Sequence, residues 1–267
     1  SCPDSAMTSS IDSRPCLFIS GAAVGIGRAT ARLFVQQGWF VGIGDIDQAG
    51  MAALEQELGS QNCLCFRLDV SRPEDWSDAL AHFHAHTGRL DLLVNNAGIM
   101  LSGPFEQTSV AQHLRQIGIN VHGVLLGCHA AHDYLRDTPS ARVINLASSA
   151  AFYGQAALAS YSASKFFVRG QTESLNIEWQ AQDIRVMDLM PLFVQTGLLD
   201  GNQPLSLRRL GVHLQPEDVA QVLWQAAQCP RWSRVHWPVG LHARMLYKVM
   251  AFTPDWLNRF IARQIAT

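Results

Sequence analysis

The chain has 267 residues, of which 48% are hydrophobic and 16% are charged, and its formal net charge is −2. This length and composition predict a compact soluble globule with a substantial core. The small net charge argues against a broad nucleic-acid surface, which requires a clustered excess of Lys and Arg. The longest uncharged run, between Arg142 and Lys165, is long enough to span a bilayer but holds Asn145, Gln155 and five serines. We therefore expect no stable membrane insertion.

The start of the chain and its cysteines indicate a cytoplasmic protein. Ser1 to Ser13 is polar and lacks the apolar segment of a secretory signal, so we expect a disordered lead or a cloning remnant there. The six cysteines form no C-x-x-C pair, which favours free thiols in a reducing compartment. His82 and His86 form an i,i+4 pair able to hold a metal ion, but no third ligand is suggested nearby. We expect no metal site.

From residue 16 onward, short apolar runs alternate with amphipathic segments of helix length. Strands are predicted at Cys16–Ser20, Phe40–Asp45, Cys63–Leu68, Leu92–Asn95, Arg142–Ala147, Arg185–Met190 and Val235–Trp237. Helices are predicted at Ile26–Gln37, Gln48–Leu58, Pro73–His86, Val110–Arg136, Tyr161–Gln180 and Pro216–Gln228. This alternation indicates an α/β fold, a Rossmann-type doubly wound parallel sheet of about seven strands with helices on both faces. We predict one dinucleotide-binding catalytic domain over residues 14–267, in which residues 241–267 are a C-terminal helical extension.

A glycine-rich turn directly follows the first predicted strand. It reads Ser20-Gly21-Ala22-Ala23-Val24-Gly25-Ile26-Gly27 and opens the first predicted helix. Glycines at this spacing allow a tight turn and a close approach of a ligand, and the helix N-terminus attracts a pyrophosphate. The turn residues predicted to contact a dinucleotide are Gly21, Gly25, Ile26 and Gly27.

Asp45 ends the second predicted strand, eighteen residues after Gly27. A carboxylate at that place accepts hydrogen bonds from a ribose diol and repels a 2′-phosphate. No basic residue at positions 22, 24 or 46 would bind such a phosphate. The sequence therefore favours NAD over NADP.

Tyr161 and Lys165 are four residues apart in a predicted helix, and Lys165 is one of only two lysines in the chain. This spacing places both side chains on one helix face. A nearby ammonium favours the phenolate and lowers the tyrosine pKa, which suits proton exchange with an alcohol or a carbonyl oxygen. Taken alone, Tyr-x-x-x-Lys is a weak signal that is common by chance on helix surfaces.

In combination, these motifs resemble those of the short-chain dehydrogenase/reductase family, in its compact branch, from about Pro15 to Gly240. Ser148 lies thirteen residues before Tyr161, the family's spacing for its catalytic serine, and Asn120 falls where the family has a helix asparagine. The resemblance implies a catalytic tetrad of Asn120, Ser148, Tyr161 and Lys165. It further implies cofactor contacts from Asp69, Val70, Asn96, Ala97 and Gly98, and from Tyr161 and Lys165 themselves.

The segment after the sixth predicted strand departs from the family pattern. Pro191-Leu192-Phe193-Val194-Gln195-Thr196 corresponds to the family's Pro-Gly-x-x-x-Thr, with Leu192 in place of glycine. The resemblance implies that Pro191, Val194 and Thr196 border the nicotinamide. The bulky Leu192 side chain must then point away from the cofactor or shift the loop.

The predicted substrate pocket is apolar, because the segments that follow the strands carry many large hydrophobic residues. Ser148 and Tyr161 would contact the substrate oxygen, and Phe152 and Phe193 would contact its body. The extension carries apolar residues at helical spacing, broken at Pro254. We favour core or subunit contact over membrane association for it, and a substrate lid is compatible with either. The family resemblance implies a homodimer or homotetramer.

We therefore predict an NAD(H)-dependent oxidoreductase that interconverts a hydrophobic secondary alcohol and its ketone, with Tyr161 as general acid and base. One alternative is an NADPH-type 3-oxoacyl reductase, which Asp45 disfavours. Another is a non-catalytic protein that senses a dinucleotide. Such a binder needs the glycine turn but not the Asn120, Ser148, Tyr161 and Lys165 set.

Overall fold

Parallel strands form one sheet in the computed structural model, which describes residues 13–192, 194, 214–230 and 234–266. In this part of the chain the sheet has seven strands in the order β3-β2-β1-β4-β5-β6-β7. Their bounds are β1 Cys16–Ser20, β2 Phe40–Asp45, β3 Cys63–Arg67, β4 Leu92–Asn95, β5 Arg142–Leu146, β6 Arg185–Pro191 and β7 His236–Val239. The predicted fold class is confirmed.

The chain reverses its direction of travel across the sheet between β1 and β4, which are hydrogen-bonded neighbours. In a doubly wound sheet, a ligand crevice opens at this reversal, beyond the carboxyl ends of the strands. Ser20 ends β1 and Asn95 ends β4, so the loops that follow them meet at one place. The glycine turn and the Asn96-Ala97-Gly98 segment are thereby brought together.

Helices cover both faces of the sheet. Their bounds are α1 Gly25–Gln36, α2 Gln48–Leu58, α3 Pro73–Thr87, α4 Val110–Ile117, α5 Gly123–Arg136, α6 Ala159–Glu178, α7 Pro216–Gln228, α8 Leu241–Phe252 and α9 Asp255–Ala266. Phe83, Cys128 and Val168 pack on one face of the sheet. Phe34 and Leu223 belong to the separate core on the other face. Two cores of this kind explain why the strands are almost wholly apolar.

The predicted helix Val110–Arg136 is interrupted by a π-helical turn, Gly118–His122, between α4 and α5. Such a turn holds one more residue than an α-helical turn and is frequent at functional sites. It contains Asn120, whose side chain is fully buried. One additional residue hardly changes the spacing of apolar residues along the sequence, so the sequence predicted a continuous helix.

Two further expectations can be compared with the described residues. Among the described cysteines, Cys63, Cys65 and Cys128 are free thiols. None of the described helices combines the length and the apolar character needed to span a bilayer. The predicted lead, Ser1 to Ser13, lies almost entirely outside the described residues.

Candidate active site

The glycine turn is held against the segment that follows β4. Gly21 has a φ of +67°, a left-handed conformation that favours glycine. Its backbone N–H donates to the carbonyl oxygen of Gly44 at 2.7 Å. A Cβ atom placed on Gly21 would lie 2.7 Å from the Cα atom of Ala97. Any larger residue at position 21 would push these two segments apart.

Ser20 and Asn96 connect the two segments by hydrogen bonds. The Oγ atom of Ser20 accepts from the backbone N–H groups of Asn96 and Ala97, both at 3.2 Å. The Nδ2 atom of Asn96 donates to the carbonyl oxygens of Ser20 at 3.0 Å and Gly21 at 2.7 Å. Ser20 stands where the family that the sequence resembles has threonine. Both residues carry a hydroxyl group, and this group accepts the two bonds from Asn96 and Ala97.

The N-terminus of α1 suits an anionic ligand. Val24 occupies the N-cap position without a side-chain hydrogen bond, and the first turn contains no acidic residue. A Cβ atom on Gly27 would lie 2.7 Å from Asn96 Nδ2. The uncapped amides and the missing side chain leave a cradle that fits a pyrophosphate. The described residues therefore fit a dinucleotide, with Gly21, Gly25, Ile26 and Gly27 lining the turn.

Asp45 joins the end of β2 to this turn. Its Oδ2 atom accepts from the backbone N–H of Ala23 at 2.9 Å, and its Oδ1 atom accepts from that of Asp47 at 3.0 Å. The following residue, Ile46, is apolar and 62% exposed. The carboxylate thus stands beside the cradle with no basic side chain next to it in sequence.

Asp69 and Val70, which are predicted to contact the cofactor, lie beyond β3. Asp69 Oδ1 accepts from the backbone N–H of Ser71 at 3.0 Å and from its hydroxyl at 2.7 Å. The Ser71 side chain is the main reason that the Asp69 pKa lies below its usual value. Val70 is buried against Gly123, and its carbonyl oxygen accepts from Trp76 Nε1 at 3.1 Å. Cofactor contact by this pair stays a prediction.

The Ser148 side chain acts on the hydroxyl group of Tyr161. Tyr161 lies in the first turn of α6, and Ser148 lies two residues beyond the end of β5. Ser148 Oγ accepts from the backbone N–H of Ala150 at 3.2 Å, which orients it. Burial raises the pKa of Tyr161, and the Ser148 side chain offsets part of that increase. The structure thus brings together two predicted catalytic groups.

Lys165 lies one turn after Tyr161 on the same helix face and is buried. Its Nζ atom is 5.6 Å from the centroid of the Tyr161 ring and donates to the carbonyl oxygen of Leu146 at 2.7 Å. Burial lowers the pKa of Lys165 to about 8. The pKa of Tyr161 is raised overall, because burial of the phenol is the largest effect on it. The predicted lowering by the Lys165 ammonium stays a prediction.

Asn120 connects the loop after β4 to α6. Its Oδ1 atom accepts from Ile99 N–H at 2.9 Å, and its Nδ2 atom donates to Ile99 O at 2.9 Å and to Ser164 Oγ at 3.1 Å. A Cβ atom on Gly98 would lie 3.3 Å from Asn120 Oδ1 and 3.8 Å from Lys165 Nζ. Asn120 therefore reaches the edge of the site, close to Gly98 and Lys165. The catalytic role that the resemblance implies for Asn120 stays a prediction.

A small apolar cluster surrounds the candidate base. Met100, Ala150 and Leu158 pack with Tyr161 and are all buried. Leu158, the N-cap residue of α6, was missed by sequence reasoning, although its place three residues before Tyr161 was an available signal. The ring of Phe152 lies 5.2 Å from that of Tyr247 and packs with the larger core.

The residues predicted to border the nicotinamide are only partly described. Pro191 ends β6 and is buried. Val194 forms a β-bridge with Leu214. Phe193 and Thr196 lie outside the described residues, so their predicted contacts stay predictions.

A chain of ionic contacts that sequence reasoning missed supports the turn after Ser148. Arg169 on α6 donates from Nη1 to Ala151 O at 3.3 Å and from Nε to Glu173 Oε1 at 3.0 Å. His236 pairs with Glu173 through Nε2 at 2.9 Å and with Asp188 through Nδ1 at 2.9 Å. Asp188 and His236 are opposite each other on β6 and β7. No local pattern links positions so distant along the chain.

Comparison with known proteins agrees with this geometry. A family model described as short chain dehydrogenase matches residues 15–204. The 3-alpha-(or 20-beta)-hydroxysteroid dehydrogenase of Mycobacterium bovis is 31% identical over 207 residues, 77% of this chain and 79% of that protein. The 3-beta-hydroxysteroid dehydrogenase of Comamonas testosteroni is 30% identical over 230 residues, 81% of this chain and 89% of that protein.

A solved structure is also similar over most of its length. The 3-ketoacyl-(acyl-carrier-protein) reductase from Brucella melitensis, complexed with NADH, has 29% sequence identity and a TM-score of 0.77. The match covers 86% of this chain and 98% of that chain. The likeness therefore extends over most of this chain.

Proposed function

We infer the function from the family, because this chain belongs to the short-chain dehydrogenase/reductase family and is an oxidoreductase of that family. We propose that it interconverts a hydrophobic secondary alcohol and its ketone with NAD(H). The observation that carries the proposal is the position of Tyr161, which is buried in an apolar cluster with the Lys165 Nζ atom 5.6 Å from its ring centroid. The Ser148 side chain acts on its hydroxyl group.

In alcohol oxidation, Tyr161 as phenolate removes the hydroxyl proton of the substrate. Ser148 donates a hydrogen bond to the substrate oxygen, the atom on which negative charge develops during the reaction. Lys165 is placed to hold the nicotinamide ribose through its ammonium donors. When bound, the nicotinamide supplies the acceptor for a hydride from the substrate carbon. For ketone reduction, Tyr161 returns the proton along the same path.

The choice of NAD over NADP rests on Asp45. Its carboxylate stands at the cradle, where it would accept hydrogen bonds from a ribose diol and repel a 2′-phosphate. The adjacent Ile46 provides no positive charge. The similar reductase from Brucella melitensis is complexed with NADH, which supports the same choice.

The apolar substrate class rests on the cluster around Tyr161. Met100 and Leu158 are buried beside the phenol, and neither side chain offers a hydrogen bond to a polar substrate. Two of the similar proteins are hydroxysteroid dehydrogenases. We propose a bulky alicyclic or steroid-like secondary alcohol, bound also by Phe152 and Phe193.

An absorbance screen at the NADH band tests the proposal. The enzyme is incubated with NAD+ and a panel of aliphatic, aromatic and steroid alcohols, then with NADP+ and the same panel. We expect turnover with NAD+ and bulky alcohols, loss of turnover in Tyr161→Phe, and nearly unchanged NADH binding by that variant. A Tyr161→Phe enzyme that keeps more than a few per cent of the wild-type rate would overturn the role of Tyr161. NADH binding without turnover across the panel would favour the sensor.

A second candidate is a 3-oxoacyl reductase, which the structural similarity to the Brucella melitensis reductase favours. It is tested by following NADH and NADPH oxidation with a 3-oxoacyl thioester. Faster turnover of the thioester than of any bulky ketone, above all with NADPH, would select this function instead.

We also propose a cytoplasmic location and a homodimer or homotetramer. The free thiols of Cys63, Cys65 and Cys128 support the location. Analytical ultracentrifugation tests the assembly, since a single monomer species across concentrations would contradict it.

A further inference from the structure

The C-terminal extension exposes a row of large apolar side chains. These are Leu241 (69% exposed), Met245 (58%), Val249 (44%), Phe252 (89%), Trp256 (71%) and Phe260 (57%), here called the C-terminal stripe. The members are spaced by three or four residues within α8 and within α9, so each helix presents them on one face. Solvent exposure of this many large side chains marks a contact surface.

The rest of α8 explains why the stripe faces outward. Ala243 is fully buried, and Tyr247 packs against Phe152 and lies beneath the guanidinium of Arg169 at 5.7 Å. The helix packs on the domain through this inner face, and the stripe residues on its opposite face are exposed to solvent. The stripe therefore lies outside the core of the chain, and the other half of the expectation, a subunit contact, stays a prediction.

Basic residues follow the stripe at a constant interval. Leu241, Met245, Trp256 and Phe260 are each followed three residues later by a basic residue, namely Arg244, Lys248, Arg259 and Arg263. Residues three apart are neighbours on a helix surface. Asp255 is the one acidic residue in positions 241–267, whereas the whole chain contains 20 Lys or Arg and 22 Asp or Glu. The extension is thus net positive on an otherwise net negative chain.

A cationic cavity adjoins α8. It has a volume of about 430 Å³ and is lined in part by Arg234, Arg244, Lys248 and His236, with no Asp or Glu among its described lining residues. Arg244 and Lys248 belong both to this cavity and to the basic row beside the stripe. The same helix therefore offers an apolar face and, next to it, a recess lined in part by Arg234, Arg244 and Lys248.

We propose that the C-terminal stripe docks this protein on the surface of an anionic lipid bilayer. The apolar side chains enter the boundary between headgroups and acyl chains, and the basic row contacts lipid phosphates. Aromatic residues beside Lys and Arg are typical of helices that lie flat in this boundary. Such docking involves no membrane-spanning segment.

A second copy of the chain fits this surface less well. Two stripes that meet about a two-fold axis bring two rows of basic residues together. The extension contains a single acidic residue, Asp255, to neutralise them. An anionic bilayer neutralises the same charges through many phosphate groups.

Vesicle co-sedimentation of the full chain tests the proposal. The probes are vesicles of phosphatidylcholine alone and of equal parts phosphatidylcholine and phosphatidylglycerol. We expect binding to the anionic vesicles, much weaker binding to the neutral ones, and release by salt. Phe252→Asp with Trp256→Asp should reduce vesicle binding by about tenfold or more. Arg259→Gln with Arg263→Gln should reduce it by about tenfold on anionic vesicles only.

Val110→Asp is the matched control, because Val110 is 72% exposed at the start of another helix and contributes nothing to the stripe. It should bind vesicles like the wild type. Circular dichroism and NADH binding report whether each variant is folded. Absence of binding to anionic vesicles, or equal binding by all variants, would overturn the proposal. Concentration-dependent self-association that the Phe252 and Trp256 changes abolish, without vesicle binding, would replace it with a subunit contact.

Discussion

The side-chain ammonium of Lys165 donates to the backbone carbonyl oxygen of Leu146 at 2.7 Å, although its aromatic neighbour Tyr161 is one helical turn away. Leu146 ends β5, immediately before the loop that carries Ser148. The bond therefore ties the helix that carries Tyr161 to the strand that leads into the Ser148 loop. It also holds the Lys165 ammonium in the buried interior, and this burial changes the pKa of the group.

Burial lowers the pKa of Lys165 from 10.5 to about 8. Between these values the unfolded chain binds more protons at this site than the folded chain, so the free energy of unfolding rises with pH. At neutral pH the buried ammonium therefore lowers the free energy of unfolding by an amount on the order of 3 kcal/mol. In Lys165→Met this rise should vanish. The measurement is urea unfolding of both proteins from pH 7 to pH 10, and parallel pH profiles would contradict the assignment.

Ser148→Ala should lower turnover by roughly a hundredfold, because one hydrogen-bond donor to the substrate oxygen is lost. The same change removes the side chain that offsets the raised pKa of Tyr161. The pH profile of alcohol oxidation should therefore move to higher pH. Ser149→Ala is the matched control, since Ser149 is the adjacent serine in the same turn and is itself buried. Similar losses in both variants would show that the loop, and not the Ser148 hydroxyl, matters.

Asp45→Asn combined with Ile46→Arg should relax cofactor selection. The change removes the carboxylate that repels a 2′-phosphate and adds a guanidinium that binds one. Asn retains one oxygen that can accept from Ala23 N–H, as Asp45 Oδ2 does at 2.9 Å. We expect the ratio of kcat/KM for NADP+ to that for NAD+ to rise by roughly tenfold or more. Ile46→Ala serves as the control, and an unchanged ratio would refute the role of Asp45.

His236→Leu should destabilise the fold by about 3 kcal/mol, because it leaves the buried carboxylate of Asp188 without its partner. Adding Asp188→Leu should restore part of that loss, since the unpaired charge is then gone. Burial lowers the pKa of His236, but the hydrogen bond and charge of Asp188 outweigh it and leave that pKa above 6.5.

This raised pKa sets the pH dependence of the same prediction. The stability contributed by protonated His236 is complete below its ordinary value of 6.5 and is lost as pH rises through the raised value. The difference between wild type and His236→Leu should therefore be larger in mildly acidic than in alkaline buffer. Thermal unfolding at both ends of this range provides the measurement. A double variant less stable than the single one would argue against the pairing.

Local patterns predicted the parts of the molecule that depend on residues close together in the chain. The glycine turn was found where the structure has it, because Gly21, Gly25 and Gly27 are required by one short loop. The Tyr161 and Lys165 pair was found because helix geometry alone places them on one face. The π-helical turn around Asn120 was not found, since a single inserted residue hardly alters apolar spacing.

The sequence by itself determined the α/β class and the order of the strands and helices along the chain, and it predicted the tetrad. The tertiary structure alone decided which group holds Lys165, that burial raises the Tyr161 pKa, and that His236 meets Asp188. The physical reason is that burial and hydrogen-bond partners come from strands far apart in sequence. Their effects on charge arise only after the sheet brings these strands together.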